Sequence, residues 1–301
     1  MDDLVIDEAL VRSMLEEQHP DLAGLELREV VGGWGNQMWR LGGDLAVRIP
    51  RTEDGSEPLA KEYQWVPRLP EGLPLPVPKP VRLGERSDRF PHNWTVVTWV
   101  SGAPADYEPI EQVEPSARIL AGFLGALHQP APADAPRNGH RGGPLAPITP
   151  YVEKRLANIE EYPAMTSLHT EIPRLREVWA DAAAASQWDG PSVWIHGDIH
   201  SANAVTTGGI LSGVIDFGEL CVGDPADDLA SAWVLLPDGG AEACFAHYPH
   251  TDESLVRPSR GWGLIRALLQ IEVGYSGEMG WAGGKANWKP FDEAVLRRLL
   301  A

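Results

Sequence analysis

Disulfides, long apolar runs and an excess of positive charge are all missing from this sequence. Its 301 residues include two cysteines, Cys221 and Cys244. They show no metal-type spacing, which excludes a disulfide framework and leads us to expect a cytoplasmic protein with free thiols. No apolar stretch reaches the roughly 18 residues that a membrane helix needs. The acidic start, Met1 to Glu17, has neither the basic nor the apolar region of a signal peptide. Lys and Arg number 25 against 43 Asp and Glu, a formal net charge of −18. Such a surface repels phosphate backbones, so nucleic acid is not an expected partner, whereas a cationic small molecule would be attracted. A nucleotide is itself an anion and would need local donors and a metal to offset this field. What is present is ordinary globular material: 43% apolar and 23% charged residues.

Periodicity divides the chain into two regions. Asp7 to Gln18 has helical apolar spacing, with Asp7 as N-cap. Leu25–Val31, Met38–Leu41 and Leu45–Ile49 read as three antiparallel strands, the last two joined by a Gly42-Gly43 turn. A helix over Leu59–Leu69, broken near Pro67, and strands at Val81–Leu83 and Trp94–Val100 complete a small α+β lobe. Beyond Gly102 helical patterns dominate: Val113–His128, Tyr151–Glu161, Ile172–Ser186, Asp228–Leu235, Arg260–Gly274 and Asp292–Leu300. Short β segments interrupt them at Val193–His196, Ala204-Val205 and Val214–Asp216. The expected fold is α+β and bilobal, with a β-rich lobe over residues 1–101 and a larger, mainly helical lobe over 102–301.

The segment from Trp194 to Asn203, WIHGDIHSAN, is followed by Val214-Ile215-Asp216-Phe217-Gly218. Asn203 lies five residues after Asp198 and Asp216 eighteen after it, and an apolar strand precedes each aspartate. This pattern predicts two adjoining loops whose three polar side chains converge. Phosphoryl transfer needs that set. Its loose transition state asks the protein mainly to position groups and neutralise charge. One carboxylate, Asp198, would orient the attacking hydroxyl and accept its proton. Two oxygen ligands, Asn203 and Asp216, would hold Mg²⁺ together with substrate phosphates. His196 would brace the loop.

These motifs resemble the catalytic and metal-binding loops of the aminoglycoside phosphotransferase family, the small-molecule branch of the protein-kinase-like fold. Kinases carry His-Arg-Asp, an Asn five residues later, and Asp-Phe-Gly. Here His196-Gly197-Asp198, Asn203 and Asp216-Phe217-Gly218 match, and Gly223-Asp224-Pro225-Ala226-Asp227-Asp228-Leu229-Ala230 extends the match. The resemblance spans roughly Leu25 to Trp233. It implies ATP or GTP as phosphate donor. By its position, the loop containing Gly33, Trp34, Gly35 and Asn36 would approach the phosphates. Arg48 stands where kinases carry a strand lysine, with Glu62 as its helix partner. The departure is chemically tolerable, because Arg binds phosphate bidentately and stays charged. The Thr98 carbonyl and Val100 amide would meet the purine, and Asp228 would cap a helix start.

The acceptor side is less defined. Glu219, Asp224, Glu272 and Glu278 could form an acidic floor for an amine-bearing acceptor, and Trp262, at an expected helix start, could line the same cleft. Three readings stand: an antibiotic phosphotransferase of the aminoglycoside type; a kinase for a macrolide, amino alcohol or sugar; and an inactive kinase-like binding module. The last predicts loss of Asp198, Asn203 or Asp216, and all three are present. A monomer or dimer is expected, with neither nucleic acid nor membrane as partner.

Overall fold

The computed structural model describes residues 5–30, 35–186 and 188–301. They form two compact units. The smaller comprises Met1–Leu69, Pro76–Ser101 and Ile215–Leu220; the larger comprises Pro70–Leu75, Gly102–Val214 and Cys221–Ala301. The larger unit thus begins its main stretch at residue 102, but the segment carrying Asp216 belongs with the smaller one.

In the smaller unit, helix α1 (Glu8–Gln18) starts where the Asp7 carboxylate accepts the Leu10 amide at 2.8 Å. Its Val11, Met14 and Leu15 pack on Leu27, Trp39, Leu41, Val47, Ile49, Phe90, Trp94 and Val96 of a five-stranded antiparallel sheet. The strands are β1 (Leu27–Val30), β2 (Asn36–Leu41), β3 (Leu45–Pro50), β4 (Pro80–Gly84) and β5 (Trp94–Thr98), in the order β1-β2-β3-β5-β4. Helix α2 (Ser56–Trp65) passes into one 3₁₀ turn, Val66–Arg68, at Pro67, the expected breaking point.

The larger unit contains α3 (Val113–Leu127), α4 (Thr149–Glu161) and α5 (Ile172–Ala183), with two small antiparallel sheets. One sheet joins β6 (Ala103–Pro104), β8 (Ala204–Thr207) and β9 (Ile210–Val214); the other pairs β7 (Val193–Ile195) with β10 (Cys221–Gly223). Helix α6 (Ala226–Leu235) is buried at every position, as expected of a helix enclosed on all sides. Then follow α7 (Gly240–His247), α8 (Glu253–Glu278) and α9 (Trp288–Leu300).

Helix α8 corrects one expectation. It begins not at Arg260 but seven residues earlier, because the Asp252 carboxylate caps the Ser254 amide at 2.9 Å and Pro258 is accommodated inside. Trp262 is therefore a mid-helix core residue, 2% exposed, and does not line a cleft. Strand β10 and helix α7 were not expected: three residues, or eight of mostly small side chains, carry too little periodicity. Cys221 and Cys244 are buried and form no disulfide; burial pushes the Cys244 thiol up to about 12. Among the described residues no helix is long and apolar enough to cross a membrane.

Gly84 faces Trp94 across the β4–β5 pair, and a Cβ there would lie 1.9 Å from an indole carbon. Gly84→Ala must displace the indole or the strand, and should cost about 1–3 kcal/mol of stability. Urea unfolding followed by tryptophan fluorescence would show this as a lowered midpoint at unchanged slope.

Candidate active site

In the larger unit, β7 delivers His196, Gly197 and Asp198. The turn between them needs glycine, since Gly197 has φ 81°. It is held from α6 by Asp228, whose two carboxylate oxygens accept the His196 amide at 2.7 Å and the Gly197 amide at 2.8 Å. This corrects the expected role of Asp228. It sits in the first turn of its own helix but caps the catalytic loop, while Asp224 accepts the Ala226 amide at 2.8 Å. Burial would raise the Asp228 carboxyl, but His128, 3.4 Å away, His196 and the loop amide hold it below the ordinary range. His196 Nδ1 accepts the Asp198 amide at 3.2 Å.

Asp198 has cationic surroundings. Its Oδ1 accepts from Arg141 at 3.1 Å, and its Oδ2 lies 3.5 Å from His200 Nε2. The Ala202 amide donates to His200 Nδ1 at 3.2 Å, and Asn203 Nδ2 lies 3.2 Å from His200 Nε2. Burial acts to raise the Asp198 carboxyl, yet His200, Arg141 and Arg266 hold it well below the usual range, so it is ionised at neutral pH. Trp288 and His200 make a T-shaped ring contact, with centroids 5.4 Å apart. Asn203 Nδ2 donates to the Asp198 main-chain oxygen at 3.0 Å. A carbonyl only accepts, so this fixes the amide and turns Asn203 Oδ1 away from that contact.

In the smaller unit, Arg48 on β3 pairs with Glu62 on α2 at 2.5 Å, both nearly inaccessible, and its other nitrogen lies 3.4 Å from Asp216 Oδ1. Burial acts against the Arg48 charge, but Glu62 and Asp216 outweigh it and raise the guanidinium above its ordinary value. Asp216 is the one non-glycine with positive φ among the described residues, at 65°. Such strain is kept where surroundings fix a residue for a task. Thr98 ends β5, and the next amide, Trp99, is bonded to the Asp44 carbonyl at 2.8 Å. Gly33 and Trp34 lie outside the described residues. Gly35 accepts the Arg51 amide at 2.9 Å, and Asn36 opens β2. Among the described residues no three His, Cys, Asp or Glu side chains cluster as metal ligands.

A family profile described as the phosphotransferase enzyme family matches residues 26–268. The chain belongs to that family. Among solved structures it resembles aminoglycoside 2'-phosphotransferase-IIIa in complex with GDP, at 18% identity and TM-score 0.68, over 98% of this chain and 99% of that one. It also resembles the macrolide 2'-phosphotransferase MphH from Brachybacterium faecium, at 22% identity and TM-score 0.59, over 95% and 97% of the two chains. A third is aminoglycoside phosphotransferase APH(4)-Ia with ADP and hygromycin B, at 16% identity and TM-score 0.55, over 96% and 98%. A search of curated protein sequences finds no match. The fold is α+β and protein-kinase-like, and the protein is a small-molecule O-phosphotransferase.

The acidic acceptor candidates of this phosphotransferase have internal partners. Glu272 pairs with Arg155 and accepts from Asn158 at 3.3 Å, and Glu278 pairs with Lys289 at 2.6 Å. Glu219 lies in the 3₁₀ turn after Asp216, in the smaller unit. Arg141, Asp227, Arg266, His128 and His200 were not singled out in the sequence. His200 could have been, from its place two residues after Asp198. The others act through contacts 39 to 100 residues away, which no local pattern displays.

Asp224 has a measurable signature. Burial raises its carboxyl from 3.8 to about 6, opposed by the Ala226 amide and reinforced by Asp227. A carboxyl raised on folding is bound more tightly to its proton in the native state. Its contribution therefore weakens the fold as pH climbs from about 4 to about 7, by on the order of 3 kcal/mol in full. Asp224→Asn keeps the amide acceptor and removes the titration. Urea midpoints at several pH values should show the variant gaining on wild type across that window and converging with it at acid pH.

Proposed function

We propose that this protein transfers the γ-phosphate of ATP or GTP to a hydroxyl of a small molecule in the cytoplasm, an antibiotic such as an aminoglycoside being the first acceptor to test. The observation that carries this reading is the state of Asp198: a partly exposed carboxylate, kept ionised and oriented at the end of a braced loop. It receives the acceptor hydroxyl, aligns it for attack and takes its proton late, as a loose transition state allows. Arg48, held by Glu62, meets the donor phosphates. Gly33, Trp34, Gly35 and Asn36 approach the phosphates, and the Thr98 carbonyl and Val100 amide meet the purine. Two of the structural neighbours named above hold GDP or ADP, which supports a nucleotide donor.

The donor set suits Mg²⁺. One carboxylate, Asp216, and one amide oxygen, Asn203 Oδ1, are hard ligands, few enough to leave positions for phosphate and water. When bound, the ion would offset negative charge on the β- and γ-phosphates. Asp216 and Asn203 contribute by presenting oxygen in fixed orientations.

One observation favours a second reading, an acceptor with fewer ammonium groups, such as a sugar. The pairing of Glu272 with Arg155 and of Glu278 with Lys289 removes two carboxylates from the floor a polycation would need. A panel of kanamycin, hygromycin B, erythromycin, an amino alcohol and simple sugars, assayed by nucleotide consumption and by product mass, separates these acceptors. It also tests the inactive-module reading, which requires no turnover with any of them.

Asp198→Ala should lower kcat by about 10²–10⁴-fold while the nucleotide dissociation constant stays within about threefold. Near-normal kcat would remove Asp198 as base. Asp216→Ala should abolish the Mg²⁺-dependent gain in nucleotide affinity, read by titration with and without the metal. Unchanged affinity would remove Asp216 from the metal site.

A further inference from the structure

Between α3 and α4 the chain crosses the larger unit as a loop, and Arg141 and Gly142 lie in it. Gly142 has φ 59°, and a Cβ on it would sit 2.8 Å from the Gly223 Cα. Two backbones touch there, and only glycine at both positions permits it. Two bonds fix the contact: the Gly142 amide donates to Asp227 Oδ2 at 2.7 Å, and the Asp224 amide donates to the Gly142 carbonyl at 2.9 Å. With the loop anchored this way, Arg141 reaches Asp198 Oδ1 at 3.1 Å.

The anchor leads back to the same aspartate. The other oxygen of Asp227 accepts from Arg266 of α8, and the Arg266 Nη2 also donates to the Gly197 carbonyl at 3.0 Å. The connections close a ring: Asp198, Arg141, Gly142, Asp227, Arg266, Gly197 and again Asp198. Two carboxylates alternate with two guanidiniums around it. Asp227 is fully buried and Arg266 is 3% exposed, whereas the Arg141 and Asp198 side chains are 17% and 29% exposed. The ring is thus rigid at its base and open at the end that carries the reacting carboxylate.

We propose that Arg141 is a positioning residue for phosphoryl transfer, fixing the Asp198 carboxylate in the orientation that receives the acceptor hydroxyl. The proposal rests on the reading of Asp198 as the base. An aspartate carboxylate turns about two bonds. With Oδ1 held by Arg141 and Oδ2 facing His200, both rotations are restricted, and a carboxylate with about four lone-pair sites keeps room for the hydroxyl. A partly exposed ion pair contributes only modestly to stability. Its value lies in placement, because an ångström of misplacement can cost about 10²-fold in rate. The planar guanidinium, presented by a pinned backbone, suits that task better than a flexible ammonium.

The test compares full-length wild type, Arg141→Ala and Arg141→Lys. Turnover of ATP and GTP with Mg²⁺ is measured with water alone as acceptor and with the acceptor panel above, alongside nucleotide dissociation constants and urea midpoints. Arg141→Ala should lower kcat by about 10- to 100-fold, with nucleotide KM and affinity within about threefold and the urea midpoint close to wild type. Arg141→Lys should recover part of the loss. Added guanidinium ion at low millimolar concentration should restore Arg141→Ala while leaving wild type unaffected. Unchanged kcat overturns the proposal. So does a rise in kcat, which would make Arg141 an obstruction over the base. So does a fall accompanied by lost nucleotide affinity and a lowered midpoint without rescue, which would make it structural. Should Arg141→Ala not fold, Arg141→Lys decides by the same criteria. Wild type inactive with water and every acceptor, or Asp198→Ala retaining normal kcat, overturns the functional reading itself, a result separate from any of these.

Discussion

The larger unit's chemistry depends on a single buried carboxylate that never meets a reactant. Asp228 binds the consecutive amides of His196 and Gly197, one to each oxygen. Charge-assisted bonds of this kind contribute about 1.5–3 kcal/mol each, and leaving either amide buried without a partner costs a similar amount. They hold Gly197 in its left-handed conformation, and that conformation aims Asp198. Because α6 is enclosed on every side, Asp228 cannot drift, and the rigidity of the core passes directly to the catalytic loop.

Charge is distributed against the overall trend. The chain carries a formal −18, yet Arg141, His200 and Arg266 gather around Asp198, and Arg48 sits buried between Glu62 and Asp216. The guanidiniums of Arg48, Arg141 and Arg266 are local positive charges set against that overall sign. The cations are themselves paired with carboxylates, so none is left as an uncompensated buried charge. Arg in place of Lys at position 48 suits this arrangement, since its fork can address Glu62 and Asp216 together.

Much of this was legible in the sequence because the motif residues are consecutive or closely spaced. The Asp7 cap, the strands of the smaller unit, the break at Pro67 and the loop containing Asp198 all follow from local patterns. The supporting partners are of another kind. Arg141 and Arg266 lie on a loop and a long helix with no distinctive spacing, and their meaning appears only once Gly142 and Gly223 are seen in contact. The position of Asp228 suits a helix cap, but its oxygens are turned to the loop amides of His196 and Gly197, contacts 32 and 31 residues away that no local pattern displays. Helix α8 starts ahead of Pro258, because the Asp252 cap six residues before it outweighs the tendency of proline to end helices.

The two cysteines have a practical meaning. Both are enclosed in the larger unit, and the Cys244 thiol is pushed up to about 12, so it presents almost no thiolate at neutral pH. Alkylating dyes should therefore pass over the native molecule and report its opening. A single cysteine placed on the surface could then be labelled against a dark background, without first removing either natural one.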